Sequence, residues 1–220
     1  MCGRYSLTRP IKTIAEHFGA REIPWEAPPR YNVAPSQILP VVIQGPEGRR
    51  LDRMRWGLVP SWARSPEIGN RMINARSETV TEKPAFRNSF KSRRCLVPAD
   101  GFYEWRREAE GKTPYYIRLK TGDLFAFAGL WAEWNANGTP LRTYTILTAP
   151  ANRRLQPLHE RMPVILLPGQ YDLWMQAGAP PDSLKSLLAP LEQDLLEFYP
   201  VSRHVNSPKN DDPECLQPAG

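Results

Sequence analysis

Twenty-four prolines in 220 residues constrain this chain more than any other feature. Proline has no N–H to donate and is poorly tolerated inside helices and central strands, so regular elements must be short and fall between the prolines. Fourteen glycines add further turn positions. This punctuation argues for many irregular connections and against a helical bundle. The densest stretch, residues 24–40 (PWEAPPRYNVAPSQILP), is expected to run extended across the surface.

Between the prolines, strand signals dominate. Leu39–Ile43 and Leu51–Trp56 flank a Gly-Pro-Glu-Gly turn. Arg94–Pro98, Gly101–Trp105, Pro114–Leu119, Leu124–Trp134 and Leu141–Thr148 follow, the last two joined at Asn137-Gly138, a hairpin turn signal. Ile11, Ile14, Ala15 and Phe18 recur at helical spacing, with Thr8 as a cap, Pro10 in the first turn and Gly19 as a stop. Short helices are expected to include Phe86–Phe90 and to lie near Ala151–Leu158, Gln170–Ala177 and Asp182–Leu188, with late strands at Val164–Leu167 and Glu197–Val201. The pattern predicts an α+β fold: a single domain over residues 1–220, with curled antiparallel or mixed β-sheets forming a barrel-like core and peripheral helices.

A hydrophobic content of 41% and a charged content of 24% are ordinary for a globular protein. No apolar run is long enough for a bilayer and no basic-then-apolar leader is present, so a cytoplasmic monomer away from membranes is expected, nucleoid-associated in a bacterium. Cys2, Cys95 and Cys215 are scattered and so are the three histidines; neither a disulfide framework nor a metal or other cofactor is expected. The net charge of +6 favours a polyanionic partner.

Chemistry is suggested first by Cys2. Removal of Met1 would put an α-amine and a thiol on one residue, with ordinary pKa values of about 8 and about 8.5. Such a pair captures an aldehyde as an imine and closes it to a thiazolidine. The alternative is an incidental cysteine on a frayed terminus. In Gly101-Phe102-Tyr103-Glu104-Trp105, alternation sets Glu104 among aromatics, where burial would raise its pKa into a range useful for proton transfer; the alternative is a solvated glutamate at a sheet edge. His159 lies at a junction between elements, and Asn74 could hold a carbonyl oxygen, although each is also an ordinary loop residue. Arg4, Arg30, Trp56, Trp62, Arg71, Arg76 and Arg161 interleave cations with aromatics, as phosphate contacts and base stacking require.

MCGRY at 1–5, RYNVAPSQ at 30–37, RWGLVPSWA at 55–63, INARSET at 73–79, RRCLVPADGFYEW at 93–105 and LHERMPVIL at 158–166 together resemble the SRAP (SOS-response-associated peptidase-like) family, in the family's order and over most of the chain. The length resembles the compact bacterial form. The resemblance implies that Cys2 crosslinks to abasic sites in single-stranded DNA as a thiazolidine, with Asn74, Glu104 and His159 completing the site. It also implies auto-cleavage of Met1 and a weak abasic-site lyase activity. Arg4, Asn32, Arg76 and Arg161 match positions that contact the DNA backbone, and Trp62 the stacking position. Ala63 departs from the pattern, where a second tryptophan is expected, and Thr81–Pro84 lacks an apolar wedge. The other readings are an N-terminal-cysteine glutamine amidotransferase, whose His-Asn-Gly and Arg-His-Arg-Gly signatures are absent, and a non-catalytic modified-DNA reader.

Overall fold

The computed structural model describes residues 2–109, 111–136 and 138–219, with position 136 described by its backbone alone. In chain order, β1 (Tyr5–Leu7) leads into α1 (Ile11–Phe18), followed by β2 (Arg30–Val33), β3 (Ile38–Gly45), β4 (Gly48–Trp56) and β5 (Asn74–Arg76). Next come α2 (Arg87–Ser92), β6 (Arg94–Ala99), β7 (Gly101–Glu108), β8 (Gly111–Leu119), β9 (Phe125–Ala136) and β10 (Thr139–Pro150). The last part holds β11 (Arg161–Pro163), β12 (Ile165–Leu166), α3 (Tyr171–Met175), α4 (Pro181–Ser186) and β13 (Leu196–Pro200). The fold is α+β, as the proline-broken strand pattern requires.

Five strands close a mixed barrel. β10, β4, β3, β6 and β9 pair in sequence, and the β9–β10 pairing completes the ring; only the β10–β4 pair in it is parallel. A second sheet of order β13-β8-β7-β1-β2 is antiparallel throughout. The run Phe125–Phe127 of β9 is buried on both faces, which is why it reads as continuous apolar sequence. Gly129 lets β9 lie close on β6: a Cβ there would stand 2.8 Å from Cys95 Sγ and from Val97 Cγ2.

The second sheet is pinned to the barrel by Tyr5. Its buried ring meets Trp56 edge-on at 5.2 Å and Phe127 at 5.7 Å, and its hydroxyl is 2.7 Å from that of Tyr144. A buried phenol needs such a partner. Three residues before it sits Cys2.

Several elements differ from expectation. Residues 151–158 form turns instead of a helix: Asn152 caps a first turn, its Oδ1 accepting the Leu155 N–H at 3.0 Å, but Pro157 has no N–H with which to continue it. The strand expected over Val164–Leu167 shrinks to Ile165–Leu166. Val164 is where the chain steps between strands, its N–H donating to Leu147 on β10 and its carbonyl accepting from Ala128 on β9. Residues 24–40 do run extended, but β2 within them is paired into the sheet, with Asn32 and Val33 buried. Asn137 of the expected turn lies outside the described residues; the flanking strands pair up to Ala136 and Thr139. Among the described residues no helix is long and apolar enough to cross a membrane.

Candidate active site

Cys2 is fully buried just ahead of β1, its thiol donating to the Arg4 carbonyl at 3.8 Å. Met1, the expected leaving residue, lies outside the described residues. Asn74 Nδ2 donates to the Cys2 carbonyl at 2.9 Å. That contact depends on β5, a three-residue strand that pairs in parallel with β10, Asn74 opposite Ile146 and Arg76 opposite Thr148. The irregular segment leading to it is fixed from below. Gly57 and Gly69 pass so closely that a Cβ on Gly57 would lie 2.6 Å from the Gly69 carbonyl oxygen, and the indole N–H groups of Trp56 and Trp134 hold the carbonyls of Ile73 and Ala63.

Glu104 is supplied by β7, opposite Tyr115 of β8, and only 6% of it is exposed. On the same strand face Phe102 packs on Phe127 at 6.0 Å. Burial raises the Glu104 pKa above the ordinary carboxylate value, and the nearby charge of His159 opposes that shift. Burial also pushes the Cys2 thiol up, and the Glu104 charge adds to it. Through these mutual effects thiol, carboxyl and imidazole are electrostatic neighbours. His159 Nδ1 accepts the Arg161 backbone N–H at 3.0 Å, which puts the neutral ring's proton on Nε2.

Cys2, just ahead of β1, is thus bonded to Asn74 of β5 and lies near Glu104 of β7, which in turn neighbours His159 in the turn before β11. One further feature marks the spot. The side-chain oxygen of Asn74 is buried with no hydrogen-bond partner among the described residues. An unmet buried acceptor costs about 1–3 kcal/mol, so it is poised for a donor from outside.

The cations and aromatics divide into two groups. Trp62 is 59% exposed, between recesses lined on one side by Pro84 and Asn88 and on the other by Arg64 and Arg71. Arg76 is exposed at the end of β5. Arg71 is exposed as well, while the others are committed to partners within the protein. Arg4 donates Nη1 to Asn32 Oδ1 at 2.7 Å and to the Val205 carbonyl at 3.0 Å, and Nη2 to Asn206. Asn32 is fully buried, its Nδ2 donating to the carbonyls of Val205, Ser207 and Asn210. Its side chain does not reach the surface, contrary to the direct DNA contact expected from sequence. Arg161 is buried with its fork on Glu78 at 2.7 and 2.9 Å. Trp56 is core, not a stacking platform.

Glu78 escaped the sequence reading, although it stands within INARSET, two residues after Arg76. The Arg161 guanidinium holds its carboxyl down at about 2. His204, Asp212 and Cys215 bring potential metal-ligating atoms within 4.8 Å. Both ring nitrogens of that histidine are already used, on Asp212 at 2.9 Å and Asn210 at 3.1 Å.

Residues 1–208 match the family model described as SOS response associated peptidase (SRAP). The chain is 46% identical over 222 residues to the abasic site processing protein YoqW of Bacillus subtilis (strain 168), covering 99% of both chains. It is 34% identical to the abasic site processing protein HMCES of Xenopus tropicalis, over 98% of this chain and 78% of that one. A crystal structure of a protein from Bacteroides thetaiotaomicron superimposes with a TM-score of 0.90 at 28% identity, covering 99% of this chain and 100% of the other.

Proposed function

Because the chain belongs to the SOS response associated peptidase family, we propose that it processes abasic sites in DNA, capturing the lesion covalently on Cys2. The observation that carries this reading is the contact of Asn74 with the Cys2 carbonyl at 2.9 Å, beside a buried Glu104. It fixes a residue that a chain end would otherwise leave mobile. The proposal treats residues 1–220 as one domain, since Tyr5, Phe102 and Ile117 of the second sheet share a core with the barrel.

The chemistry follows from the groups present. Hydrolysis of the Met1–Cys2 bond frees the Cys2 amine. A route to it is thiol attack on the preceding carbonyl, Glu104 passing the thiol proton to the amine as the C–N bond breaks. Water then hydrolyses the resulting thioester, releasing methionine and restoring the thiol. A single DNA strand brings an abasic sugar in equilibrium between ring and aldehyde. His159 donates a hydrogen bond from Nε2–H to the ring oxygen; as the C1′–O4′ bond breaks, that oxygen takes up a proton and the anomeric hydroxyl releases one to water, leaving the aldehyde. The amine adds to the aldehyde carbon to give a carbinolamine. Glu104, whose raised pKa keeps it protonated further toward neutrality, delivers a proton to the departing hydroxyl, and water and an imine result. The imine keeps the nitrogen's own proton, so the thiol adds to its carbon to give the neutral ring amine while the thiol proton returns to Glu104. No redox partner is needed.

Ring closure is intramolecular and therefore fast. The unmet Asn74 oxygen would accept a hydrogen bond from the carbinolamine hydroxyl or nitrogen. Where closure fails, loss of the C2′ proton from the imine gives strand cleavage, a weak lyase reaction. Trp62 and Arg76 are the side chains that meet the strand; Arg4, Asn32 and Arg161 act by holding the frame. A glutaminase reading has no support from the named relatives, which are abasic site processing proteins.

The test uses single-stranded DNA with one abasic site and a denaturing gel. A band shifted by the mass of the protein is expected with the wild type and absent with Cys2→Ala. Cys2→Ser should form only an imine, trapped by borohydride and lost on heating. A heat-stable adduct from Cys2→Ser without reductant would sink the thiazolidine, and an undiminished Cys2→Ala adduct would sink the nucleophile.

A further inference from the structure

Apart from the lesion chemistry, we propose that the recess between α2 and α4 is a docking pocket for an acidic peptide segment carrying one bulky apolar side chain. The recess has a volume of about 420 Å3, within the range of ligand-sized pockets. Its floor includes Phe90 and Leu184, and its wall and rim carry Arg87, Lys91, Arg94 and Lys185.

Arg94 is the unusual member. It is 7% exposed. Four of its five guanidinium N–H groups donate to backbone carbonyls, those of Trp174, Phe90, Lys91 and Gln176, at 2.5–2.9 Å. Carbonyls satisfy the hydrogens but leave the charge in place, and among the described residues no carboxylate forms an ion pair with it. A buried cation without a counter-ion is costly, and an anion arriving at the mouth relieves that cost. The exposed side chains of Arg87 and Lys91 reinforce the same field. Lys185 has Asp182 at 3.4 Å, but both are well exposed, and such a pair is weak enough to exchange.

Charge alone would suit nucleic acid as well. The floor decides between them. A single apolar side chain fits the lining of Phe90, Ala179, Pro181 and Leu184 while its flanking carboxylates meet the rim, whereas a nucleic acid must splay out a base to fill it. Asn88 and Ser92 of the same helix line the recess beside Trp62, so a docked partner would stand one helix away from the DNA-facing tryptophan. Recruitment and lesion capture can then occur together.

The experiment titrates the protein into a fluorescein-labelled Asp-Asp-Phe-Asp-Asp peptide, followed by anisotropy. Saturable binding is expected. It should weaken about tenfold or more in the Arg87→Glu/Lys91→Glu double variant, and likewise when alanine replaces the peptide's phenylalanine. The substituted positions are exposed, so thermal melting and crosslinking to abasic DNA should match the wild type, which separates this proposal from that chemistry. Absence of saturable binding would overturn it. So would equal affinity for the alanine peptide, or displacement by a stoichiometric amount of undamaged single-stranded oligonucleotide, which would assign the recess to nucleic acid.

Discussion

A glutamate only 6% exposed is a poor place to keep a charge, and in the proposed chemistry Glu104 bears that cost for the sake of proton transfer. Its folded pKa is raised, so the folded state holds its proton more tightly than the unfolded chain does. The stability this contributes is fully present below the unfolded value and is lost as pH rises through the folded one. Glu104→Gln should therefore remove crosslinking yet melt above the wild type near pH 8, with the difference closing toward pH 4. A melt equal to the wild type at every pH would mean that the carboxyl is solvated. Glu78 works in the opposite direction. With its carboxyl held at about 2 by Arg161, its stabilisation is present above about 4.5 and lost as pH falls from there toward about 2. Breaking a buried pair costs about 3–5 kcal/mol, but Glu78 is nearly half exposed and the expected loss in Glu78→Gln is roughly 1–2 kcal/mol. Because Arg161 also presents the N–H that orients His159, the same variant should slow crosslinking more than it slows non-covalent DNA binding.

Short elements made by their neighbours govern the site. β1, β5 and β11 have three residues each and β2 has four. The three-residue strands have no pattern of their own long enough to read, since alternation needs four or more residues to stand out, and β2 only just reaches that length. The long strands β3, β4 and β6–β10 were legible from apolar runs and turns, and α1 from its spacing. Motif and residue type together singled out Cys2, Asn74, Glu104 and His159 as candidates, and of these Asn74 meets Cys2 across a 2.9 Å hydrogen bond. Whether an arginine meets phosphate or its own chain was not, because that depends on partners remote in sequence. Asn32 shows why: its carbonyl acceptors lie 173–178 residues away, at Val205, Ser207 and Asn210. Asp211 closes the same latch from outside, accepting the backbone N–H groups of Tyr31 and Asn32 at 2.6 and 2.8 Å. Replacing Asn32 with alanine takes the donor from the Ser207 and Asn210 carbonyls and removes one of the acceptors of Arg4, at about 1–3 kcal/mol for each group left unmet. Loss of about 3 kcal/mol or more in denaturant unfolding is expected, along with proteolytic sensitivity in residues 203–216. A variant that unfolds at the wild-type midpoint would show that the latch stabilises nothing.

Across the whole molecule, a net charge of +6 overstates the cation available to a DNA strand. Arg30 is paired with Asp211, Arg49 with Asp172, Arg142 with Asp52 and Glu133, and Arg161 with Glu78. Arg4 is bound to the C-terminal latch and stacked toward Trp105 at 5.9 Å. Arg76 is exposed, with no ion pair among the described residues. Single-strand binding releases counterions in proportion to the phosphates neutralised, and log K falls with log salt by about 0.7 per contact. The covalent step must be silenced to see this, so the measurement uses Cys2→Ala protein and an abasic oligonucleotide between 50 and 200 mM salt, on the order of the range where such slopes are read. Adding Arg76→Ala should flatten the slope by about 0.7 and leave the melting temperature unchanged. Adding Arg4→Ala should lower the melting temperature and leave the slope as it was. A slope flattened equally by both would place the Arg4 guanidinium on a phosphate, and the latch would then be a feature of the unbound protein that DNA takes apart.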